Sequence, residues 1–135
     1  KAMTNAGLTI TDDYIQCGDY CIDGGYEAMM RLCKLSKRPT AIFISNYDMT
    51  IGAYLAINYL RLKIPDDISV IGFDNFPLAN VVNPPLSFAE QPTNVMGTEA
   101  GKLLYRRICG DYSDYPKTIM HKPTMHYKES IRQLT

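Results

Sequence analysis

An apolar strand pattern that ends in small polar residues occurs twice in this chain, in Pro39-Thr-Ala-Ile-Phe-Ile-Ser-Asn-Tyr-Asp48 and in Ile64-Pro-Asp-Asp-Ile-Ser-Val-Ile-Gly-Phe-Asp-Asn75. Residues 49–62, between them, have the pattern of an apolar helix. A strand, a helix and a strand in close succession form a parallel pair joined by a crossover. Ligands of such sheets bind beyond the carboxyl ends of the strands. We therefore expect Asn46 and Asp74 to lie side by side at one rim of a sheet, where they suit a polar ligand such as a sugar.

The composition limits the classes of protein to which this chain can belong. The 135 residues are enough for one domain with a buried core, and 14 basic residues balance 14 acidic ones. That balance argues against non-specific nucleic-acid binding, which requires a basic face. No apolar stretch is long enough to span a bilayer, so no membrane partner is expected.

The cysteines and histidines give no pattern of a metal site. The four cysteines form no CxxC pair, and no histidine stands at zinc-finger spacing from any of them. We expect reduced thiols in a cytoplasmic protein rather than disulfides, with no metal and no cofactor. His121 and His126 are five residues apart in a predicted strand, so they should point to opposite faces.

Further elements are predicted around the two opening stretches. Residues 1–7 have the pattern of a helix end, residues 13–17 of a short strand, and residues 26–33 of a helix with one buried face. Asn46 or Asp48 should cap the apolar helix, and Thr93 or Asn94 a helix that reaches residue 109. Short strands are expected within 86–90 and 118–127, followed by a short extension.

Several blocks of the chain together resemble a known family. The blocks are Gly18-Asp19-Tyr20 with Gly25-Tyr26-Glu-Ala-Met, Arg38-Pro-Thr-Ala-Ile-Phe with Ser45-Asn46-Tyr-Asp48-Met and Ile51-Gly-Ala53, Ile64-Pro-Asp-Asp-Ile-Ser-Val-Ile-Gly-Phe-Asp74, Pro84-Pro-Leu86, and Gln91-Pro92 with Met96-Gly97. In this order and spacing they resemble the effector-binding core of lactose-repressor/galactose-repressor transcription regulators. The resemblance covers nearly the whole chain.

The resemblance implies an α/β fold of periplasmic binding protein-like type I, with a three-layer, doubly wound, mostly parallel sheet. Residues 1–88 and 118–135 would form the C-terminal subdomain, and residues 89–117 a crossover segment that belongs to the N-terminal subdomain. The helix-turn-helix domain that reads operator DNA lies outside this chain in that family. The apolar stripe of the crossover helix would then be exposed or would pack on another copy, so self-association is expected.

The resemblance also implies four effector-binding residues, each with an alternative. Tyr20 matches an aromatic residue that stacks on the effector, or it packs on Tyr26 as a turn residue. Asn46 matches a hydrogen-bonding position, or it is only a helix cap. Asp74 matches an acceptor for two ligand hydroxyls, with a strand-end cap as the alternative. Gln91 contacts the effector or serves as a hinge.

A dimer contact is implied on the helix of residues 51–62 and the loop of residues 76–82, with core packing as the alternative. The residues expected there are Ile51, Tyr54, Leu55, Phe76, Val81 and Val82.

Three functions remain open from the sequence. The first is a cytoplasmic regulator that senses a small effector, a sugar or alternatively a purine, as a homodimer and without catalysis. The second is a periplasmic or surface sugar-binding protein of the same fold. The third is an enzyme that uses Asp74 as a nucleophile or phosphoacceptor, but such sites need a carboxylate cluster for Mg²⁺ and a basic partner, which the sequence does not supply.

Overall fold

A computed structural model describes residues 1–74 and 77–133 of the chain. Two short 3₁₀ helices, Asp12–Tyr14 and Pro77–Asn80, stand among the connections. In chain order the other elements are α1 (Ala2–Asn5), α2 (Ile22–Cys33), β1 (Ala41–Phe43), α3 (Tyr47–Tyr59), β2 (Ser69–Phe73), β3 (Ser87–Glu90), α4 (Thr93–Ile108) and β4 (Thr124–His126).

The strands form one sheet in the order β1-β2-β3-β4. The first three are parallel, and β4 runs antiparallel to β3. Phe43 of β1 is in register with Ile71 of β2, and Phe73 of β2 with Ala89 of β3. The predicted α/β class and the mostly parallel sheet are therefore confirmed. The strand β3 continues through Glu90, past the boundary at residue 88 that the resemblance implies.

The helices α2 and α3 lie against each other, and α3 lies over β2. Glycines allow the close approach of the two helices. A Cβ atom on Gly52 would lie 1.9 Å from the carbonyl oxygen of Ile22, and one on Gly25 would lie 2.3 Å from the carbonyl oxygen of Met49. Because no side chain fits there, the glycines fix the first turn of α2 beside the first turn of α3. The packed layer beneath contains Met29, Ile57, Ile68, Val70 and Leu86, all fully buried.

Asn46 is the N-cap of α3, which decides between the two predicted caps. Its side-chain oxygen accepts a hydrogen bond of 3.0 Å from the backbone N–H of Met49. The predicted cap of α4 is wrong, because α4 begins at Thr93 with Pro92 at the N-cap and no side-chain cap. None of the residues of α4 is buried.

The strand predicted at residues 13–17 is absent from the sheet. The segment forms the 3₁₀ turn Asp12–Tyr14 and then runs on in extended form. Two backbone oxygens of the segment accept hydrogen bonds from side chains. Gln16 donates to the backbone oxygen of Asp13 at 2.9 Å, and Arg31 donates to the backbone oxygen of Cys17 at 3.4 Å.

Ser130, within the segment that was predicted as a short extension, is part of the core. Ser130 is fully buried. Its hydroxyl donates to the Val70 carbonyl at 2.7 Å, and its backbone oxygen accepts from the Val70 N–H at 2.9 Å. The backbone N–H of Ser87 in turn donates to the Ser130 hydroxyl at 2.7 Å. Ser130 therefore joins β2 to β3 near their amino-terminal ends.

Candidate functional site

The carboxyl ends of β1, β2 and β3 form one rim, and three of the four predicted effector residues follow these ends. Phe43 is in register with Ile71, so Asn46 and Asp74, each three residues further on, come level with each other. The backbone N–H of Asp74 donates to the Ala89 carbonyl at 2.8 Å, which brings Asp74 beside the end of β3 and Gln91. The rim that the sequence predicted is therefore present.

Asp74 and Gln91 contact each other directly. The side-chain amide of Gln91 donates a hydrogen bond to Oδ1 of Asp74, and both side chains are half-buried. The backbone of Asp74 is in the left-handed region, with a φ of 83°. Asp74 is thus held from two sides, by its backbone bond to β3 and by the Gln91 amide.

Tyr20 and Asn46 form the second contact of the rim. The side-chain amide of Asn46 donates to the backbone oxygen of Tyr20 at 3.1 Å, while its oxygen caps α3. Asn46 therefore fills its capping role and also binds the turn that carries Tyr20. The Tyr20 side chain is 70% exposed, and Tyr26 packs edge-on against Tyr59 at 6.5 Å between ring centroids. The expected alternative, Tyr20 packed on Tyr26, is not among the ring contacts of the described residues.

The turn before α2 is built by an aspartate and a glycine. The Asp19 carboxylate accepts a hydrogen bond of 2.9 Å from the backbone N–H of Cys21. A Cβ atom on Gly24 would lie 2.0 Å from that carboxylate, so only glycine leaves room for it. This packing explains why the Gly-Asp-Tyr turn and the double glycine occur together in the sequence.

Backbone strain is concentrated at the rim. Among the described residues, the non-glycine residues with positive φ are Tyr20 at 63°, Arg61 at 56° and Asp74 at 83°. Arg61 directly follows the C-cap of α3, Leu60, where a left-handed residue is ordinary. Tyr20 and Asp74 each have a strain of about 1 kcal/mol or more, of the kind that clusters at binding sites. Each also receives a hydrogen bond from a neighbouring amide side chain, of Asn46 or of Gln91.

A histidine–glutamate pair beside the rim was missed by the sequence analysis. Nε2 of His126 lies 2.6 Å from Oε2 of Glu90, and the His126 ring stacks on Phe88 with 4.7 Å between centroids. The antiparallel register of Phe88 with His126 produces this contact, and no local pattern signals it. The other histidine, His121, lies 3.1 Å from Glu99 of α4. The two histidines thus pair with glutamates on different elements.

The residues of the predicted dimer contact fall into different environments. Leu55 is 51% exposed and Val81 is 71% exposed, and Ile51 is half-buried. Tyr54 and Val82 instead pack against the core, as the alternative expected. Phe76 lies outside the described residues.

Tyr54 carries a polar atom inside this packing. Within residues 1–74 and 77–133, its hydroxyl is buried and has no hydrogen-bond partner. Burial raises the pKa of Tyr54 to about 12. Tyr54 is therefore a polar group whose surroundings in this chain are apolar.

A cavity of about 550 Å³ lies beside β1 and reaches Ser45 and Met49, next to Asn46. It is bounded by α2, by α3, by β1 and by the segment of residues 3–16. None of the four predicted effector residues lines it. No helix of the described residues is both long and apolar enough to cross a membrane.

Comparison with known proteins identifies the family. Residues 1–131 match the family described as periplasmic binding protein-like domain. The chain is 38% identical over 134 residues to the HTH-type transcriptional repressor PurR of Histophilus somni (strain 2336), covering 99% of this chain and 40% of that protein. It is 41% identical over 107 residues to the ribose operon repressor of Escherichia coli (strain K12), covering 79% of this chain and 32% of that protein.

A solved structure with the same fold is a complex of the transcriptional regulator CelR with cellobiose. The two structures agree with a TM-score of 0.87 at 28% sequence identity, over 96% of this chain and 39% of that chain. The chain spans at most about 40% of the length of these relatives. It belongs to the periplasmic binding protein-like domain family, and within it to the effector-binding domains of lactose-repressor/galactose-repressor transcription regulators.

Proposed function

We propose that this chain is the ligand-sensing part of a cytoplasmic transcription regulator and that its effector is a sugar bound at the rim. The observation that carries the proposal is the register of β1, β2 and β3, which brings an amide, a carboxylate and a second amide to one rim. A polar ligand with several hydroxyl groups fits this set. The names of two similar proteins, the ribose operon repressor and the CelR–cellobiose complex, contain sugars, and this favours a sugar over a purine as the effector.

Each of the four residues has a role in the proposed complex. The Asp74 carboxylate accepts hydrogen bonds from ligand hydroxyls, and charged acceptors make the stronger bonds. The exposed ring of Tyr20 offers a flat surface for the C–H face of a sugar. Asn46 holds the Tyr20 turn through one N–H of its amide and presents the other N–H to the ligand. Gln91 lies where β3 leaves the sheet toward α4 and completes the set.

The proposed regulation is a shift between conformations. The resemblance implies that residues 89–117 would belong to the other subdomain, so an effector between the subdomains would favour one closure angle. The effector changes DNA binding only if it binds one conformation better than the other. A homodimer would transmit the change to helix-turn-helix domains outside this chain, through a surface that includes the exposed Leu55 and Val81. No step of this mechanism requires catalysis.

The test is a thermal-shift screen of the full-length protein with ribose, cellobiose and purine bases. A ligand that binds the folded state raises the melting temperature by mass action. We expect a sugar to give the largest shift and Asp74→Ala to abolish it. Asp66→Ala, which removes an exposed carboxylate in the turn before β2, is the matched control and should keep the shift. An Asp74→Ala variant with an undiminished shift would remove the carboxylate from the proposed site.

If a purine base gave the largest shift, the proposal of a ligand-sensing regulator would stand, and the proposed effector would change from a sugar to a purine. Two of the similar proteins are repressors and the third is a transcriptional regulator, which favours the regulator over a periplasmic or surface sugar-binding protein.

A further inference from the structure

The position of the Tyr20 ring depends on the backbone that carries it. The side chain is 70% exposed, so it has little packing of its own, and the residue has a φ of 63°. A residue in this region keeps its conformation only where the surrounding structure fixes it. The place of the ring in the proposed site is therefore set by whatever holds the turn of residues 18–20.

The side chain of Met49, the third residue of α3, lies directly against this turn. A Cβ atom on Gly18 would lie 2.5 Å from Cε and 3.0 Å from Sδ of Met49, so glycine is what allows the turn to approach the thioether this closely. Met49 is 9% exposed and belongs to the hydrophobic core. Its side chain therefore connects the packed core to the base of the turn.

The backbone of Met49 fixes a second support of the same turn. Its N–H donates to Oδ1 of Asn46 at 3.0 Å, and this bond sets the orientation of the Asn46 amide. With the amide oxygen bound there, an N–H of the same amide reaches the backbone oxygen of Tyr20 at 3.1 Å. Met49 thus supports the turn directly through its thioether and indirectly through Asn46.

We propose that Met49 is a positioning residue of the effector site, which sets the place of the Tyr20 ring without touching the effector. This inference rests on the proposed function, in which the ring stacks on the C–H face of a sugar. Stacking requires the ring at van der Waals distance, so a small shift of the turn loses contact. The Asp74 carboxylate does not share this support, because the backbone of Asp74 is bonded to Ala89 of β3.

A double-mutant cycle in the full-length protein tests this role. Met49→Ala removes the thioether and should weaken the binding of ribose or cellobiose, whichever binds the wild type, about five- to tenfold by calorimetry. Met49→Leu nearly conserves the volume of the side chain and should bind as the wild type does. In a Tyr20→Ala background, Met49→Ala should change the affinity by less than about twofold, because the ring that it positions is absent.

Met29→Ala is the matched control for a general loss of core packing. Met29 lies in α2, is 1% exposed and belongs to the same hydrophobic core. Its truncation should lower the stability as Met49→Ala does, but it should leave the sugar affinity unchanged. Equal losses of affinity in the two variants, an undiminished loss in the Tyr20→Ala background, or full affinity in Met49→Ala would each overturn the proposal. If Met49→Ala does not fold, Met49→Val removes the same two atoms beside Gly18 with a smaller loss of volume, and the same results are expected of it.

A further measurement needs no ligand. Amide hydrogen exchange of residues 18–22 in the effector-free full-length protein should be faster in Met49→Ala than in the wild type, Met49→Leu and Met29→Ala, with the exchange of β2 and β3 as the check on folding. Equal exchange in Met49→Ala and the wild type would overturn the proposal. If neither sugar binds the wild type while exchange does accelerate, the support of the turn by Met49 stands and the proposed effector class fails, so the two failures are distinguishable.

Discussion

The helices α3 and α4 are similar in length and opposite in surroundings. The first has 13 residues and buries Met49, Thr50, Gly52, Ala53, Ala56 and Ile57. The second has 16 residues and buries none. Both satisfy the backbone hydrogen bonds of a helix, so burial is what separates them. The comparison shows that the local sequence can be enough to form a helix, whereas the position of the helix in the molecule depends on the element that packs against it.

The two helices also differ in how their ends are fixed. The start of α3 is capped by Asn46 and pressed against α2 through glycines. The end of α4 is fixed by charge: Arg106 contacts Asp111 and Asp114, and Arg107 contacts Asp114. Surface ion pairs of this kind add little stability individually, but a network defines the position of a helix end. Packing therefore fixes α3, and electrostatics fixes the last turn of α4.

The largest expected effect comes from a methyl group added to each helix. Gly52→Ala in α3 should lower the free energy of unfolding by about 3 kcal/mol, because the new Cβ would lie 1.9 Å from the Ile22 oxygen and the helices must move apart. Gly97→Ala in α4 meets no atom within 4 Å and should raise it by about 0.5–1 kcal/mol. Urea denaturation measures both. A neutral Gly52→Ala would mean that α2 and α3 are less closely packed than described.

The second-largest expected effect comes from a buried hydroxyl group in α3. Tyr54→Phe removes the unpartnered hydroxyl in α3 and should stabilise the protein by about 1 kcal/mol at pH 7. Tyr105→Phe in α4, where the ring is 69% exposed, is the control and should change stability little. Destabilisation by Tyr54→Phe would instead show that the hydroxyl makes a hydrogen bond in the folded protein.

The raised pKa of Tyr54 should also make the stability of the protein depend on pH in the alkaline range. Unfolded Tyr54 ionises near its ordinary pKa of 10.0, whereas the folded group stays protonated up to about 12. The folded state therefore binds more protons in this range, and stability should fall as the pH rises from 10 to 12. Tyr54→Phe should make that fall shallower in denaturation curves measured across the range.

The smallest effect concerns the charged end of α4. Hydrogen bonds from Ser113 and then from Arg106 lower the pKa of Asp111 to about 2, and a hydrogen bond from Arg107 is the main cause of a lowered pKa at Asp114. A lowered carboxylate pKa stabilises the fold above the ordinary value of 3.8 and loses that contribution as the pH falls toward 2.

Hydrogen exchange at residues 105–110 reports on this network. It should be unchanged from pH 7 to pH 5, after correction for intrinsic rates, and should rise below pH 4. Asp114→Asn should raise the same exchange at pH 7, while α3 keeps its protection. Exchange that rose equally in α3 would mean that the network supports more than the end of α4.

The parallel strands and the rim could be predicted because both are local in the sequence. The strand pattern and its polar ends lie within ten or twelve residues, and a parallel crossover leaves few arrangements for two such strands. The Glu90–His126 contact could not be predicted in this way, since it depends on the register of β4, 36 residues along the chain. The strand expected at residues 13–17 is not formed: the segment begins with a 3₁₀ turn, and the backbone oxygens of Asp13 and Cys17 accept hydrogen bonds from the side chains of Gln16 and Arg31.

The sequence by itself determined the α/β class, the family and the rim that brings Asn46 beside Asp74, because strand periodicity and crossover geometry act over short distances along the chain. Only the tertiary structure decided that the Gln91 amide is bonded to Asp74, that Ser130 lies buried between β2 and β3, and that α4 remains uncovered. The physical reason is that these features depend on which distant surfaces meet. A side chain's own chemistry limits its partners, but the packing of the whole chain selects among them.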